Sequence, residues 1–151
     1  VGRGIVRAVV LLPWAMPGTI SGIIWLWIFH GQWGILNGLL YRLGIIEAYI
    51  QWVNEPILAK FSVMVAHIWI QIPFASVLLM AALTTINKEI YEAAEVDGAS
   101  AARRLFSITI PSIKGMLLIT LIYEFIMGLT TYDVTYAMTG GGPGGATTLL
   151  S

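Results

Sequence analysis

The sequence contains no cysteine, only two histidines and few charges. Without cysteine there is no disulfide framework, no thiol nucleophile and no Cys-ligated zinc site. Charged residues make up 11% of the 151 positions, whereas ordinary soluble domains carry roughly 25%. Eight basic and eight acidic residues cancel, so there is no basic field to hold nucleic acid. Apolar residues are what is abundant, at 58% of the chain. That is more apolar surface than one core of this length could hide. The composition is that of an integral membrane protein.

The chain opens Val1-Gly2-Arg3, with no initiator Met and no basic, apolar and small-residue layout of a signal peptide. It ends at Ser151, inside an apolar stretch that begins at Leu149. A piece of a longer polypeptide is expected.

Three apolar runs predict three membrane spans. Ile5 to Phe29 is a run of 25 residues whose one charge, Arg7, lies near its start. At 1.5 Å per residue it reaches about 37 Å, enough for a hydrocarbon core of about 30 Å. The second run covers 57–86, with Lys60 near its outer end where it can snorkel. The third covers 113–138 and is interrupted by Lys114, Glu124 and Asp133. Pro13 and Pro17 in the first run and Pro73 in the second predict kinks, since each removes a backbone donor and clashes with the turn before it. Gly18 and Gly22 have the small-xxx-small spacing of a helix contact face, which is favoured over a hinge role.

Basic residues set the expected orientation. Arg3, Arg7, Lys88, Arg103, Arg104 and Lys114 fall on one side, and Arg42 and Lys60 on the other. The positive-inside rule then puts the amino end and loop 87–112 in the cytoplasm, and loops 30–56 and 139–148 outside. Trp25, Trp27, Trp33 and Trp52 gather toward the outer face as an aromatic belt.

Loop 87–112 is unlike its surroundings. It holds seven of the sixteen charges: Lys88, Glu89, Glu92, Glu95, Asp97, Arg103 and Arg104. Asn87 is suited to cap a helix, with Glu89 in the first turn where the dipole favours it. Ile90, Ala93 and Ala94 form a slight apolar stripe at helical spacing. Gly98 interrupts it, and Asp97 or Ser100 can cap a second short helix through Phe106. At Ile110-Pro111 the chain is expected to restart from an extended residue. Helices this short need something to pack against. Alanines bury little acyl chain but let a backbone come close, so a partner protein with a groove fits better than a lipid surface.

The segment EAAEVDGASAARRLFSITIP resembles the EAA loop of ABC importer permeases: EAA, three residues, Gly, nine residues, Ile, one residue, Leu-Pro. Here these positions are Glu92-Ala93-Ala94, Gly98, Ile108 and Ile110-Pro111, with Ile110 standing for the usual Leu. The stretch around Trp69 to Phe74 resembles the W-x-x-x-PF block of the sugar-type branch, and YDVTYAMTGGGPGG its FD-x-IY-x-LT-x-GGP segment, with Tyr132 for Phe. The resemblance covers nearly all of the chain. It implies an all-α integral membrane fold, a kinked transmembrane helix bundle of the ABC importer permease (MetI-like) type, of which this chain holds helices three to five. It also implies a second permease subunit, a cytoplasmic pair of ATP-binding subunits, an external solute-binding protein and surrounding lipid as partners. ATP would be bound by the partner, with no cofactor in this chain. In that scheme the loop is a coupling helix: Glu92 makes the polar contact to the ATPase, Ala93 and Ala94 are the close-approach face, and Gly98 turns the chain. Ile108 and Pro111 complete the motif.

Four polar residues in the spans are candidates for a solute pathway. His67 and Gln71, four apart, share one helix face. Glu124 is a mid-helix carboxylate, which costs about 2.5–3.5 kcal/mol on insertion scales and so faces water or a partner. Asp133 lies nearer the outer surface, as a cap, a gate or a ligand contact. The Gly140–Gly145 run is not a phosphate loop, because no Lys-Ser or Lys-Thr follows it, and it reads as a flexible outer loop. Two other classes stand as alternatives. A secondary transporter or channel has no use for the charged, glycine-broken loop. A membrane enzyme using His67, Glu124 and Asp133 lacks metal-ligand spacing such as H-x-x-E-H.

Overall fold

The computed structural model describes residues 9–149, which are helical and connecting segments with no strand among them. A 3-10 turn at Leu12–Ala15 precedes α1 (Gly18–Ile28), α2 (Ile35–Arg42) and α3 (Pro56–Leu83). Then come α4 (Lys88–Val96), α5 (Ala101–Ser112, with a π turn at Leu105–Thr109), α6 (Lys114–Thr130) and α7 (Tyr132–Thr139). Among the described residues α3 is the one single helix long and apolar enough to cross a membrane, with a mean hydropathy of 1.9. Its 28 residues span about 42 Å.

The two other expected spans are bent pairs. Val9–Ala15 and Gly18–Ile28 meet at 113°. Residues 5–8 of the first expected span lie outside the described residues. The break falls where proline chemistry puts it: Met16, ahead of Pro17, is extended at ψ 136°. Pro73 lies inside α3, which continues through it without a break. Pro73 is fully buried, and the Trp69 carbonyl forgoes its usual donor. The third expected span, 113–138, is also divided. α6 ends at Thr130, Thr131 turns extended at ψ 91°, and α7 starts afresh. Thr131 Oγ1 donates to the Met127 carbonyl that its own N–H also reaches, a side-chain competition that favours a helix end.

The chain divides into two compact units, residues 1–73 with 127–151 and residues 74–126. In the first, α1 packs on α7. Phe29, Ala66, Val134 and Met138 form its buried core, flanked by Trp25, Trp52, Val63 and Ile70. A Cβ on Gly22 would lie 2.7 Å from the Ala137 Cβ and 2.8 Å from the Val134 carbonyl oxygen, so only glycine permits this crossing. Aromatic rings continue the core outward: Trp25 stacks on Phe29 at 5.5 Å and meets Trp69 edge-on at 5.7 Å, and Phe29 lies 5.9 Å from Trp52. Loop 30–56 is organised by Asn37, which is completely buried. Its Nδ2 donates to the carbonyls of Gly31 and Ile50, and its Oδ1 accepts from the Ile50 N–H and the Trp52 indole.

In the second unit Ala82 and Ile113 are buried, and Phe74 and Tyr123 bring their rings to 4.5 Å. This unit carries loop 87–112.

Candidate functional site

Loop 87–112 folds as helix, turn, helix because its polar residues satisfy the helix ends. Asn87 Oδ1 accepts the Glu89 N–H while its Nδ2 donates to Glu89 Oε2, a reciprocal cap on α4. Gly98 turns the chain at φ +71°, a left-handed conformation that favours glycine. Of the two possible caps for the second helix, Ser100 is the one used: its Oγ accepts from the Arg103 N–H. Asp97 instead ends α4.

One expectation fails here. Ile110 is helical, at φ −60° and ψ −47°, and the second helix runs on through Pro111 to Ser112. The π turn makes this possible. Its wider ring sends the Ile110 N–H to the Leu105 carbonyl and eases the clash a proline otherwise makes with the carbonyl four residues back. The chain bends one step later, by 73° between Ala101–Ser112 and Lys114–Thr130.

The motif residues do not share one environment. Glu92 and Ala93 are exposed, and the Glu92 side chain makes no hydrogen bond or ion pair among the described residues. Val96, one turn along from Glu92, is 89% exposed. Glu89, Glu92, Ala93 and Val96 thus make an outward face at helical spacing. Ala94 is half-buried, lining a recess with Asp97, Arg103, Arg104 and Ile108. The two alanines, about 100° apart around the helix, therefore differ in surroundings: Ala93 is exposed and Ala94 lines the recess. Pro111 is exposed on α5.

Residues not singled out in the sequence hold α4 in place. Tyr91 OH lies 2.8 Å from Thr109 Oγ1, and Glu95 pairs with Arg104 at 3.3 Å. Tyr91 and Glu95 are one turn apart, so both ties leave the same side of α4. The four-residue spacing was visible in the sequence, but nothing in it named the partners.

A second polar site lies within the first unit. A cavity of about 280 Å³ is lined by Lys60, Val63, His67, Gly128, Thr131, Thr135 and Thr147, among others. His67 Nε2 and Gln71 Nε2 are shielded from solvent and find no hydrogen-bond partner among the described residues. His67 borders the cavity, whereas Gln71 is not among its lining residues; a buried polar group left unmet costs about 1–3 kcal/mol. A Cβ on Gly128 would stand 3.8 Å from His67 Nε2, so the glycine keeps this side open. Thr131, Thr135 and Thr139, spaced by four, each donate to the carbonyl four residues back. Thr139 and Thr147 pair at 2.6 Å, and Thr147 is buried against the Gly142 carbonyl, so the Gly-rich segment is a hydrogen-bonded turn. Asp133 does not line the cavity; it is exposed in the first turn of α7, and its Cβ faces Gly18. Glu124, in the second unit, is half-buried on α6. Among the described residues no three His, Cys, Asp or Glu side chains are grouped to hold a metal ion.

The profile of a family described as "Binding-protein-dependent transport system inner membrane component" matches residues 1–151. The trehalose/maltose transport system permease protein MalF of Thermococcus litoralis is 43% identical over 150 residues, which is 99% of this chain and 50% of that protein. The sulfoquinovosyl glycerol transport system permease protein SmoG of Agrobacterium fabrum is 43% identical over 145 residues, 96% of this chain and 46% of its own length. The chain therefore spans about half the length of the curated relatives it matches. Among solved structures, a bacterial alginate ABC transporter in complex with an alginate pentasaccharide-bound periplasmic protein superimposes with a TM-score of 0.73. The identity is 25%, over 90% of this chain and 50% of that one.

Proposed function

The chain belongs to the family of binding-protein-dependent transport system inner membrane components, and from that premise we propose that it forms part of the permease subunit of an ATP-driven importer for a sugar or related solute. The permease lies in the inner membrane of a prokaryotic cell, paired with a second permease subunit. An external binding protein delivers the solute, and a cytoplasmic pair of ATP-binding subunits supplies the energy. The chain is a transport subunit and not an enzyme, since ATP is hydrolysed by those partners.

The observation that carries this reading is the outward face of α4. Glu92, Ala93 and Val96 are exposed together on a short, doubly capped helix. A helix of nine residues is marginal alone, and an apolar Val96 beside an unpaired Glu92 suits a protein groove with a complementary donor. Loop 87–112 lies in the cytoplasm, consistent with its positive charges. Glu92 makes the polar contact with the ATPase, Ala93 allows close approach, and Ala94, Gly98, Ile108 and Pro111 build the platform behind them. His67 and Gln71 offer their unmet donors to solute hydroxyls, as supported by the saccharide and glycoside named for the relatives. Glu124 and Asp133 are further polar groups along the route.

The test is uptake by the full-length permease, assembled with its partners in vesicles and supplied with binding protein and a radiolabelled disaccharide. ATP inside the vesicles drives uptake, and Glu92→Ala abolishes most of the solute-stimulated ATP hydrolysis. Full hydrolysis in that variant would remove Glu92 from the coupling contact. Uptake indifferent to ATP would favour a secondary transporter.

A further inference from the structure

The two ties that hold α4 converge on one feature. Thr109 closes the π turn, and its Oγ1 donates to the Arg104 carbonyl at its opening, 3.3 Å away. A hydroxyl has a single hydrogen. When that hydrogen points to Arg104, Thr109 Oγ1 accepts from the Tyr91 O–H across the 2.8 Å contact, in which either hydroxyl could donate. The result is a chain from the Tyr91 O–H through the Thr109 O–H to the Arg104 carbonyl. The Arg104 guanidinium then reaches back to Glu95. Glu95 is largely exposed, so that pair is screened by solvent, whereas the Tyr91–Thr109 contact is half-buried. Residues 97–100 join the two helices, and nothing lies within 4 Å of where a side chain on Gly98 would be. No side chain packs around that turn, so the Tyr91–Thr109 contact is a second connection between the helices.

We propose that Tyr91 is a positioning residue for energy coupling, whose hydroxyl clamps α4 to the π turn of α5. Displacement of the docked helix then moves α5 with it and is not absorbed by bending at Gly98. The inference rests on the proposed docking of this loop on an ATPase. It adds that Tyr91, on the side of α4 away from Glu92, transmits motion without touching the partner.

The experiment uses the complete transporter in vesicles and reads uptake and ATP hydrolysis separately for Tyr91→Phe, Thr109→Val, the double variant and Thr109→Ser. Tyr91→Phe and Thr109→Val each lower the solute imported per ATP by about three- to tenfold, the fold-change expected from one lost hydrogen bond. Hydrolysis and co-purification of the ATPase stay at wild-type level. The double variant is no worse than either single one, because both remove the same contact. Thr109→Ser, which keeps the hydroxyl, imports normally and separates the clamp from a general packing role. Normal coupling in Tyr91→Phe, additive losses in the double variant, or loss of the co-purifying ATPase would each overturn the proposal. Wild-type uptake that ignored ATP would overturn the importer reading itself, and this clamp with it.

Discussion

Gly22 and Ala137 meet at the crossing of α1 and α7 so closely that a Cβ on residue 22 would sit 2.7 Å from that of Ala137 and 2.8 Å from a backbone oxygen of Val134. The backbone oxygen cannot rotate away as a side-chain end could. Gly22→Val is therefore expected to lower stability by about 1–3 kcal/mol, the usual cost of overpacking. Thermal unfolding of the full-length protein in detergent measures it. An unchanged melting temperature would mean that the crossing is looser than this geometry.

Asn37 predicts an order among substitutions. Its amide serves carbonyls through Nδ2 and donors through Oδ1, so Asn37→Ala leaves buried groups unmet at about 1–3 kcal/mol each. Asn37→Asp is expected to be worse, since it sets a carboxylate against the Gly31 and Ile50 carbonyls in a dry site. Faster protease cleavage within 30–56, and a change in Trp52 fluorescence, would report both losses. A benign Asp variant would contradict the assigned contacts.

Gly98 is limited by conformation and not by space, because its φ is +71° and no neighbour crowds it. Gly98→Asn is expected to keep most transport, since Asn tolerates left-handed backbone, while Gly98→Val loses about 1–2 kcal/mol of loop stability. Uptake rates of the two variants decide this. Equal rates would show that the turn can adopt another conformation.

His67 separates a binding role from a structural one. Its buried Nε2 has no partner among the described residues, so His67→Leu is expected to be neutral or slightly stabilising for the fold. If the solute accepts that hydrogen bond, the same change raises KM for uptake by about tenfold while the melting temperature holds. A large stability loss with unchanged KM would reverse the assignment.

Much of loop 87–112 was legible because its determinants are local. Asn87, Gly98 and Ser100 act on backbone within three residues of themselves, which is the range of capping and turn chemistry. Pro17 was legible for the same reason. Pro111 was not, because whether a proline breaks a helix depends on how the neighbouring backbone adjusts. At Pro111 a π turn opens just ahead of it. The Thr130–Thr131 break hid inside an apolar run that pattern reading takes as continuous. Asn37 carried no signal beyond being one polar residue in a loop, since its partners at Ile50 and Trp52 come from 13 and 15 positions away.

Composition and motif spacing were enough to determine a helical membrane chain, the capped loop over 87–112, and its family resemblance. These depend on residue totals or on neighbours a few positions apart. Tertiary structure alone decided that α1 crosses α7 at Gly22, that Ala94 lines a recess while Ala93 stays exposed, and that Tyr91 reaches Thr109, 18 positions away. Such contacts depend on where packed helices come to rest. A side chain's partner across that distance is set by the packing of everything between them.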